Sequence, residues 1–411
     1  MTVTIFENCN LLDGKSSELR EGFHVLVEGE RIREVSDRAL KASNARVIDA
    51  AGRTLMPGLI DAHVHVFAIH LNADRTANMP LTLMTAAATH RIKNMLDRGF
   101  TTVRDVAGGD YGIQEAVASG LIPGPRLFIS GQAITQTGGH GDHRLRTDDS
   151  APCGCSSALN RLCRVADGPD TVRRAVRDEL RKGANNIKLL VSGGVGSPND
   201  PLESRQYSSE EIAAAVDEAS AWNTYVTAHS YTPRSTIHAV RAGVRCIEHG
   251  NLVDKEAARE MAKHGAFMVP TLVCYDETAQ HGKAMGLSDV VMEKLRLVNE
   301  AGLNMLNICK EAGVRMGFGT DLMGELEYAQ SREFSIRAQV LSPEEIIASA
   351  TQVNAQIINR GHELGLIAPG AFADMLLVDG NPLRDLNLLQ EQGAHLSVIM
   401  KGGQFHKNTL K

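Results

Sequence analysis

Short apolar runs alternate with segments of helical periodicity along most of this chain. The first 56 residues instead show short alternating segments divided by turn signals, with Glu28-Gly29-Glu30-Arg31 as a hairpin turn. Apolar–polar alternation between glycine-containing turns is typical of antiparallel β-strands. Similar short-strand patterns return near the C-terminus. We therefore predict a small β-sandwich domain built from both termini, residues 1–56 plus 364–411.

Between these β-rich ends, eight apolar runs alternate with helical segments. Several helical segments begin at Ser or Asp and end at Gly, which are common helix start and stop signals. Eight strand–helix units predict an α/β fold, a (β/α)8 TIM-like barrel over residues 57–363. An open doubly wound sheet is the alternative, but no glycine-rich phosphate fingerprint follows the first strand. The eight runs begin at residues 59, 101, 126, 185, 225, 245, 266 and 315.

Six polar side chains lie near the ends of these runs, where a core pattern predicts apolar residues. His63 and His65 are two apart, so in a strand both point to the same side. The C-terminal strand ends of a barrel converge on one face, which carries the active site. Imidazoles and carboxylates bind divalent cations, so we predict a metal site on that face. The other four residues are Lys188, His229, His249 and Asp321.

Lys188 is the unusual member of this set, because a protonated ammonium cannot ligate a cation. Near metal ions its amine would lose a proton and could take up carbon dioxide as a carbamate, whose two oxygens can bridge two metals. Each residue taken singly has a structural interpretation: a snorkelling lysine, hydrogen-bonded core histidines, or a helix cap at Asp321. Six such residues on one face favour the metal site.

Composition and charge narrow the possible partners. The chain has 411 residues, 43% hydrophobic and 22% charged, as in globular proteins. A net charge of -6 and the lack of any apolar run of about 18 residues favour neither nucleic-acid nor membrane partners. Seven scattered cysteines and an N-terminus without a basic start predict a reducing, cytoplasmic location. Cys153-Gly154-Cys155 with Cys163 could be a metal knuckle, but the spacing favours free thiols.

These motifs together resemble those of the amidohydrolase superfamily of metal-dependent hydrolases. The resemblance implies two divalent metals, which we expect to be zinc. It implies that His63, His65 and Asp321 hold one metal and that His229 and His249 hold the other. It also implies that carboxylated Lys188 bridges the two metals. Some relatives use one metal and no carbamate. The matching segments are PGLIDAHVH at 57–65, AHSY at 228–231, EHG at 248–250, GTD at 319–321 and PGAFADMLLVDGNPL at 369–383.

The chemistry of such a site predicts hydrolysis without a Ser or Cys nucleophile. Two cations acidify a bridging water, and the resulting hydroxide attacks a polarised carbonyl. Asp321 would accept the proton and pass it to the leaving amine. A scaffold protein that has lost catalysis should lack Asp321 or Lys188, and both are present. A nicotinamide oxidoreductase would need the missing nucleotide fingerprint.

Within the superfamily the chain is similar to the imidazolonepropionase-related group of Xaa-Pro and Xaa-Arg/Lys dipeptidases and ochratoxin-type amidases. The shared details are QTGGHGD at 136–142, SGGVGSPND at 192–200 and Tyr231. This resemblance implies an Xaa-Pro dipeptidase, with an Xaa-Arg/Lys dipeptide, an N-acyl amino acid, an ochratoxin-type amide or a cyclic imidazolone as alternative substrates. We expect a homo-oligomer that takes a small-molecule substrate.

Two residues near the predicted metal site are candidates for substrate binding. His140 and Tyr231 could donate hydrogen bonds to the scissile carbonyl or to a substrate carboxylate. The alternatives are a residue of a glycine-rich loop for His140 and a packing residue for Tyr231. Arg205 or Arg234 could pair with a carboxylate, although surface arginines have the same appearance in sequence.

Overall fold

The computed structural model describes residues 2–72, 75–76, 79–144, 146–147, 162–197 and 200–410. Within these residues the strands, numbered β1 to β18 in chain order, are Val3–Leu11, Arg20–Glu28, Arg31–Ser36, Arg46–Asp49, Thr54–Pro57, Leu59–Val64, Phe100–Asp105, Arg126–Ile129, Ala133–Thr135, Cys163–Val165, Ile187–Leu190, Val226–Ser230, Cys246–His249, Phe267–Val269, Arg315–Met316, Met375–Val378, Leu396–Lys401 and Gln404–Asn408.

The α-helices, numbered α1 to α11, are Leu81–Asp97, Tyr111–Ala118, Pro169–Arg181, Ser209–Ala221, Pro233–Arg241, Lys255–Lys263, Leu272–His281, Asp289–Ala312, Arg332–Arg337, Pro343–Ala348 and Asn354–Ile357. A π-helical turn, Ser349–Val353, joins the last two. Short 3-10 segments occur at Gly324–Ala329, Leu386–Leu389 and Glu391–Gly393. No helix in these ranges combines the length and apolar character needed to cross a bilayer.

The central strands form two parallel sheets, as the alternation of strands and helices predicts. One sheet has the order β6-β7-β8, and the other has the order β10-β9-β11-β12-β13-β14-β15. Backbone hydrogen bonds join the sheets at two places. The Ala62 N–H donates to the Phe318 carbonyl at 2.9 Å, and the Asn185 N–H donates to the Ile129 carbonyl at 2.7 Å. The α/β fold is therefore confirmed.

Alternation along β11 explains how a lysine comes to lie inside this fold. Ile187 and Leu189 are fully buried and belong to the main hydrophobic core, together with apolar residues of α3 and α4. Successive strand residues point to opposite faces, so Lys188 points away from that helix layer. The same pattern recurs in β12, where Val226 and Ala228 belong to the core cluster and His229 alternates with them.

Strands from both ends of the chain share a third sheet. Its order is β18-β17-β16-β5-β1-β2-β3, and β4 pairs with β1. Leu376 of β16 lies opposite Met56 of β5 in an antiparallel pair. A separate hydrophobic cluster, which includes Phe6, Leu55 and Leu377, packs against this sheet. The two predicted β-rich ends therefore form one sheet, and the domain boundaries themselves stay a prediction.

The third predicted run and the loop after it differ from the expectation. The run at 126–134 divides into β8 and β9, and β10 was not predicted. Cys153 and Cys155 lie outside the described residues. Cys163, at the start of β10, is a free thiol.

Candidate metal centre and active site

The structure brings all eight predicted site residues to one cavity. His63 lies in β6, Lys188 in β11 and His229 in β12, while His249 ends β13. His65 follows β6 directly, and Asp321 follows β15 by five residues. All six, with His140 and Tyr231, line a cavity of about 190 Å³. Parallel strands with their C-terminal ends on one face account for this convergence.

Three of these residues are close enough to share one ion. Ligand atoms of His63, His249 and Asp321 all lie within 4.8 Å of one another. Oδ1 of Asp321 lies 3.5 Å from Nε2 of His63 and 3.1 Å from Nε2 of His65. Its Oδ2 lies 3.9 Å from Nδ1 of His249. Asp321 is therefore central to the cluster.

Each histidine of the cluster uses one ring nitrogen in a hydrogen bond outside it. Carboxylate and carbonyl oxygens can only accept, so in three cases the ring nitrogen is the donor. Metal-binding histidines show this arrangement, because the outer hydrogen bond fixes the tautomer and frees the other nitrogen. The contacts are His63 Nδ1 to Glu248 Oε2 at 2.7 Å, His65 Nδ1 to the Ala107 carbonyl at 3.2 Å, His229 Nε2 to the Gly193 carbonyl at 3.2 Å and His249 Nδ1 to Thr271 Oγ1 at 2.9 Å.

The environment of Asp321 fits a cation. In the described part of the chain, its buried Oδ1 has no hydrogen-bond partner. It faces the Nε2 atoms of His63 and His65, which carry lone pairs when both rings donate from Nδ1. Three converging lone pairs repel one another unless a positive charge lies between them. The donor set of imidazole nitrogens and a carboxylate oxygen suits Zn and related divalent ions.

A proton can take the place of the cation between the Asp321 carboxylate and the histidine beside it. Burial lowers the pKa of His65, but the neighbouring Asp321 carboxylate raises it more, so that the pKa lies above its usual 6.5. Burial would raise the pKa of Asp321, yet the adjacent His63 and His65 hold it well below its usual range. Metal binding at this pair should therefore release a proton, as it does wherever a ligand must be deprotonated.

Backbone strain marks two of the same residues. His249 has φ 72° and Asp321 has φ 52°. For side chains other than glycine this left-handed region costs about 1–3 kcal/mol, and such residues cluster at functional sites. Gly319, two residues before Asp321, has no side chain for a steric reason, since a Cβ there would lie 2.8 Å from Cβ of His63.

Lys188 has the properties that carbamate formation needs. Its side chain is buried at 2% exposure. Burial lowers the pKa of the ammonium to about 8, although the charges of Glu248 and Asp321 oppose the shift. A lowered pKa increases the neutral fraction of the amine, which is the form that reacts with carbon dioxide.

The hydrogen bonds of His140 differ from the expectation that it donates. Its ring stacks on that of His229, with centroids 4.4 Å apart. Nδ1 lies 2.6 Å from Oγ of Ser197, and that hydroxyl donates to Asp200. Nδ1 must then donate to Ser197, which leaves Nε2 with a lone pair. Burial lowers the pKa of His140 to about 4, so the neutral ring accepts at Nε2.

A glycine makes room for His140, and Tyr231 lies next to two histidines. A Cβ at Gly194 would lie 2.1 Å from the His140 ring, so a side chain there would displace it. The buried Tyr231 ring lies 4.9 Å from the His229 ring and 5.3 Å from the His249 ring, between centroids. Both residues predicted to bind substrate are therefore adjacent to the histidine cluster.

Sequence reasoning missed a buried ion pair beneath the metal site. Glu248 Oε1 lies 2.6 Å from Arg104 Nη2, and both side chains are fully buried. Burial alone would raise the pKa of Glu248, but the Arg104 guanidinium and the bond from His63 hold it well below its usual range. The carboxylate therefore orients the His63 ring and leaves its Nε2 available to a cation. The one available signal was a glutamate within an apolar strand, in EHG at 248–250.

Helices α7 and α8 form one wall of the cavity, which was not predicted. They contribute Tyr275, Val291 and Leu295 to its lining. Arg205 and Arg234, considered as carboxylate partners, line a separate surface groove. Among the described residues that line the cavity there is no arginine. A substrate carboxylate would therefore meet hydroxyl and imidazole groups there.

Comparison with known proteins identifies relatives over almost the whole length. The model of the Amidohydrolase family matches residues 54–404. Ochratoxinase from Aspergillus niger is 31% identical over 368 residues, which are 86% of this chain and 75% of that protein. A crystal structure of a prolidase complexed with N-methylphosphonate-L-proline is 48% identical, with a TM-score of 0.97 and coverage of 99% of this chain and 100% of that one. An Xaa-Pro dipeptidase with methionine bound in its active site is 28% identical, with a TM-score of 0.88 and coverage of 99% and 100%.

Proposed function

The chain belongs to the amidohydrolase family and is a hydrolase acting on amide bonds, and on this premise we propose that it is a binuclear metal-dependent dipeptidase that cleaves Xaa-Pro dipeptides. The observation that carries the proposal is the 48% identity to a prolidase over 99% of this chain. The converging cluster of four histidines, Lys188 and Asp321 supports it independently.

We propose the following ligands for two zinc ions. His63, His65 and Asp321 would hold one ion, and His229 and His249 the other, with a carbamate on Lys188 across both. Bound there, two such cations would supply an acidified water molecule and a polarised scissile carbonyl. Neighbouring His63 and His65 hold the pKa of Asp321 well below its usual range, so the carboxylate is ionised. We propose that it takes a proton from that water molecule. We propose that it passes this proton to the leaving nitrogen of the substrate.

The lining of the cavity favours an apolar dipeptide. Apolar side chains from several elements cover much of it, including Leu71, Leu162 and Val195. Among the described lining residues Asp321 is the one carboxylate, and it lies within the metal cluster. A dipeptide ending in Arg or Lys would lack an acidic partner at its side chain. The compact, apolar proline ring suits such a surface better.

The substrate carboxylate needs hydrogen-bond donors, or it competes with the scissile carbonyl for the metals. We propose that Tyr231 donates to it, and that His140, with its lone pair at Nε2, accepts from the substrate nitrogen or takes up a proton there. Both residues line the cavity next to the ring of His229. They would orient the substrate without adding a fixed charge.

The second candidate is an amidase of the ochratoxin type. Its support is the 31% identity to ochratoxinase over 86% of this chain. The apolar wall of the cavity would also accommodate an aromatic group. In both candidate functions an amide is cleaved in a site rich in histidines.

One panel of substrates separates these candidates. We expect zinc-loaded enzyme to cleave apolar Xaa-Pro dipeptides with a kcat/KM at least ~10-fold above that for Xaa-Arg dipeptides, N-acyl amino acids and ochratoxin A, about 1.4 kcal/mol of transition-state stabilisation. A preference for ochratoxin A would favour the second candidate. Elemental analysis should find two metals per chain. One metal per chain and an unmodified Lys188 in a high-resolution crystal structure would contradict the binuclear proposal.

We also propose that the two parallel sheets close into a (β/α)8 TIM-like barrel. The hydrogen bonds that join β6 to the segment after β15, and Ile129 to Asn185, support closure at both edges. The sheet shared by the chain ends would then form the separate β-sandwich domain, residues 1–56 plus 364–411. The homo-oligomeric state and cytoplasmic location stay predictions.

A further inference from the structure

We propose that Thr271 and Tyr275 are positioning residues that relay a hydrogen bond from the metal centre to Tyr231. The relay begins at His249 and leaves the Tyr231 hydroxyl as a donor toward the substrate carboxylate. This inference rests on the proposed function, because it concerns the tyrosine assigned to substrate binding in that same site.

The four residues form an unbroken chain of contacts. Nδ1 of His249 lies 2.9 Å from Oγ1 of Thr271. Thr271 Oγ1 in turn lies 3.3 Å from the Tyr275 hydroxyl, which lies 2.9 Å from the Tyr231 hydroxyl. None of the four residues is more than 3% exposed. Each polar group in the chain therefore depends mainly on its neighbours for hydrogen bonds.

The donor and the acceptor in each of these hydrogen bonds follow from counting the protons on the groups. The geometry has Thr271 donating to Tyr275. A hydroxyl has one proton, so Thr271 must accept from Nδ1–H of His249. That tautomer leaves Nε2 of His249 for a cation, which agrees with its proposed role. Tyr275 accepts from Thr271 and can donate its own proton to Tyr231, whose proton then remains for the substrate.

The position of Thr271 supports a role in the site rather than in capping the helix. Thr271 is the residue before the first turn of α7, where threonine usually caps the helix through its side chain. Here the side chain makes no capping hydrogen bond. Tyr275 lies four residues later, so the two side chains lie on the same face of the helix. The first turn of α7 thus presents both hydroxyl groups to the site.

Tyr231 is the better placed of the two tyrosines to meet the substrate. Its ring centroid lies 5.3 Å from that of His249, whereas the Tyr275 ring lies 6.3 Å from it. Of the two tyrosines, Tyr231 is the one with a ring contact to His229 among the described residues, at 4.9 Å between centroids. We therefore assign the last donor of the relay to Tyr231.

A double-mutant cycle on zinc-loaded enzyme tests the relay. Tyr231→Phe, Tyr275→Phe and the double variant are compared for kcat and KM on an apolar Xaa-Pro dipeptide, and for the Kd of L-proline. We expect Tyr275→Phe to lower kcat/KM about 5-fold, mainly through KM, and to weaken L-proline binding equally. In the Tyr231→Phe background, Tyr275→Phe should lower kcat/KM by less than about 2-fold. Metal content should stay the same.

Three further variants control for indirect effects. Thr271→Ser keeps the hydroxyl and should behave like wild type. Thr271→Val should lower kcat/KM as Tyr275→Phe does, and it should also weaken metal binding, because Nδ1 of His249 loses its acceptor. Tyr207 is also buried, but its hydroxyl donates to the Ala166 carbonyl at 2.9 Å. Tyr207→Phe should leave kcat/KM unchanged.

Two outcomes would overturn the relay. Additive losses in the cycle would make the tyrosines independent packing residues. If Tyr231→Phe had no effect on kcat/KM in the Tyr275→Phe background, Tyr275 rather than Tyr231 would be the residue that donates to the substrate. A wild-type enzyme that cleaves no Xaa-Pro dipeptide would contradict the proposed function instead. The two failures are therefore distinguishable.

Discussion

Replacing Glu248 by glutamine tests whether the buried carboxylate both stabilises the fold and orients a metal ligand. Its Oε1 accepts from Arg104 at 2.6 Å, and its Oε2 accepts from Nδ1 of His63 at 2.7 Å. The Thr227 hydroxyl also donates to Oε1. All the side chains in this group are inaccessible to solvent or nearly so. Glu248→Gln keeps the shape but removes the charge and one of the two acceptor oxygens.

Two separate losses follow from this change. The Arg104 charge would remain buried without a counter-charge, and breaking a buried pair in this way costs about 3–5 kcal/mol of unfolding free energy. Since the amide oxygen can still accept one bond, we expect the lower end, about 3 kcal/mol. His63 and Arg104 would compete for that oxygen. His63 would lose its fixed tautomer, and zinc affinity should fall about 10- to 100-fold.

A second buried glutamate offers a matched control. Glu333 lies 2.6 Å from Arg337, and both are fully buried. Its other oxygen accepts from the Val273 N–H, so it contacts no histidine of the cluster. Glu333→Gln would leave the Arg337 charge buried without a counter-charge, so it should also lower stability, but it should leave zinc affinity unchanged.

Urea unfolding and zinc titration of both variants measure the two losses. An unchanged urea midpoint in Glu248→Gln would refute the stability argument. Equal zinc affinity in the two variants would refute the orienting role of Glu248.

The pH dependence of stability gives a further measurement on Glu248. Its pKa is lowered in the fold, so its stabilising contribution is fully present above the unfolded pKa of about 4.3. That contribution disappears as the pH falls through the lower folded value. The urea midpoint of wild type should therefore decrease more steeply below about pH 4.3 than that of Glu248→Gln. Parallel pH profiles would show that the fold does not lower the pKa of Glu248.

Substitutions at four other residues give further predictions. Lys188→Ala should remove activity and lower metal content by elemental analysis, and added short carboxylic acids should restore part of the rate; full activity would exclude the carbamate. Asp321→Asn should lower kcat at least ~100-fold, because an amide cannot accept the proton, and a rate within a few-fold of wild type would remove Asp321 from the mechanism. Tyr231→Phe should lower kcat/KM at least ~10-fold, and the loss should shrink on a substrate with an amide in place of its carboxylate; equal losses would indicate oxyanion stabilisation. Lys294 donates to three carbonyls of the glycine-rich loop at 192–200. Lys294→Met should speed limited proteolysis of that loop, and Lys294→Arg should partly reverse this; unchanged cleavage would show that the loop is held by other contacts.

Local sequence pattern was enough to predict the alternation of strands and helices and the polar residues that line the cavity. In β11, Ile187 and Leu189 face the helix layer, so the intervening Lys188 had to face the other way. The same alternation placed His229 inside. These inferences succeed because strand period and the convergence of parallel strands are properties of the chain over a few residues. The chemical types of the residues then indicated the metal.

Contacts between distant segments depended on tertiary packing. Glu248 meets Arg104 across 144 positions of sequence, and Tyr231 meets Tyr275 across 44. The acceptor state of His140 depends on the Ser197 hydroxyl, 57 positions away. A pattern of apolar and polar residues reports which side of an element is buried. It does not report which polar group lies opposite, because that is decided by how whole elements pack. The sequence alone therefore determined which residues could bind metal, and the fold decided their tautomers, their charge partners and the wall of the cavity.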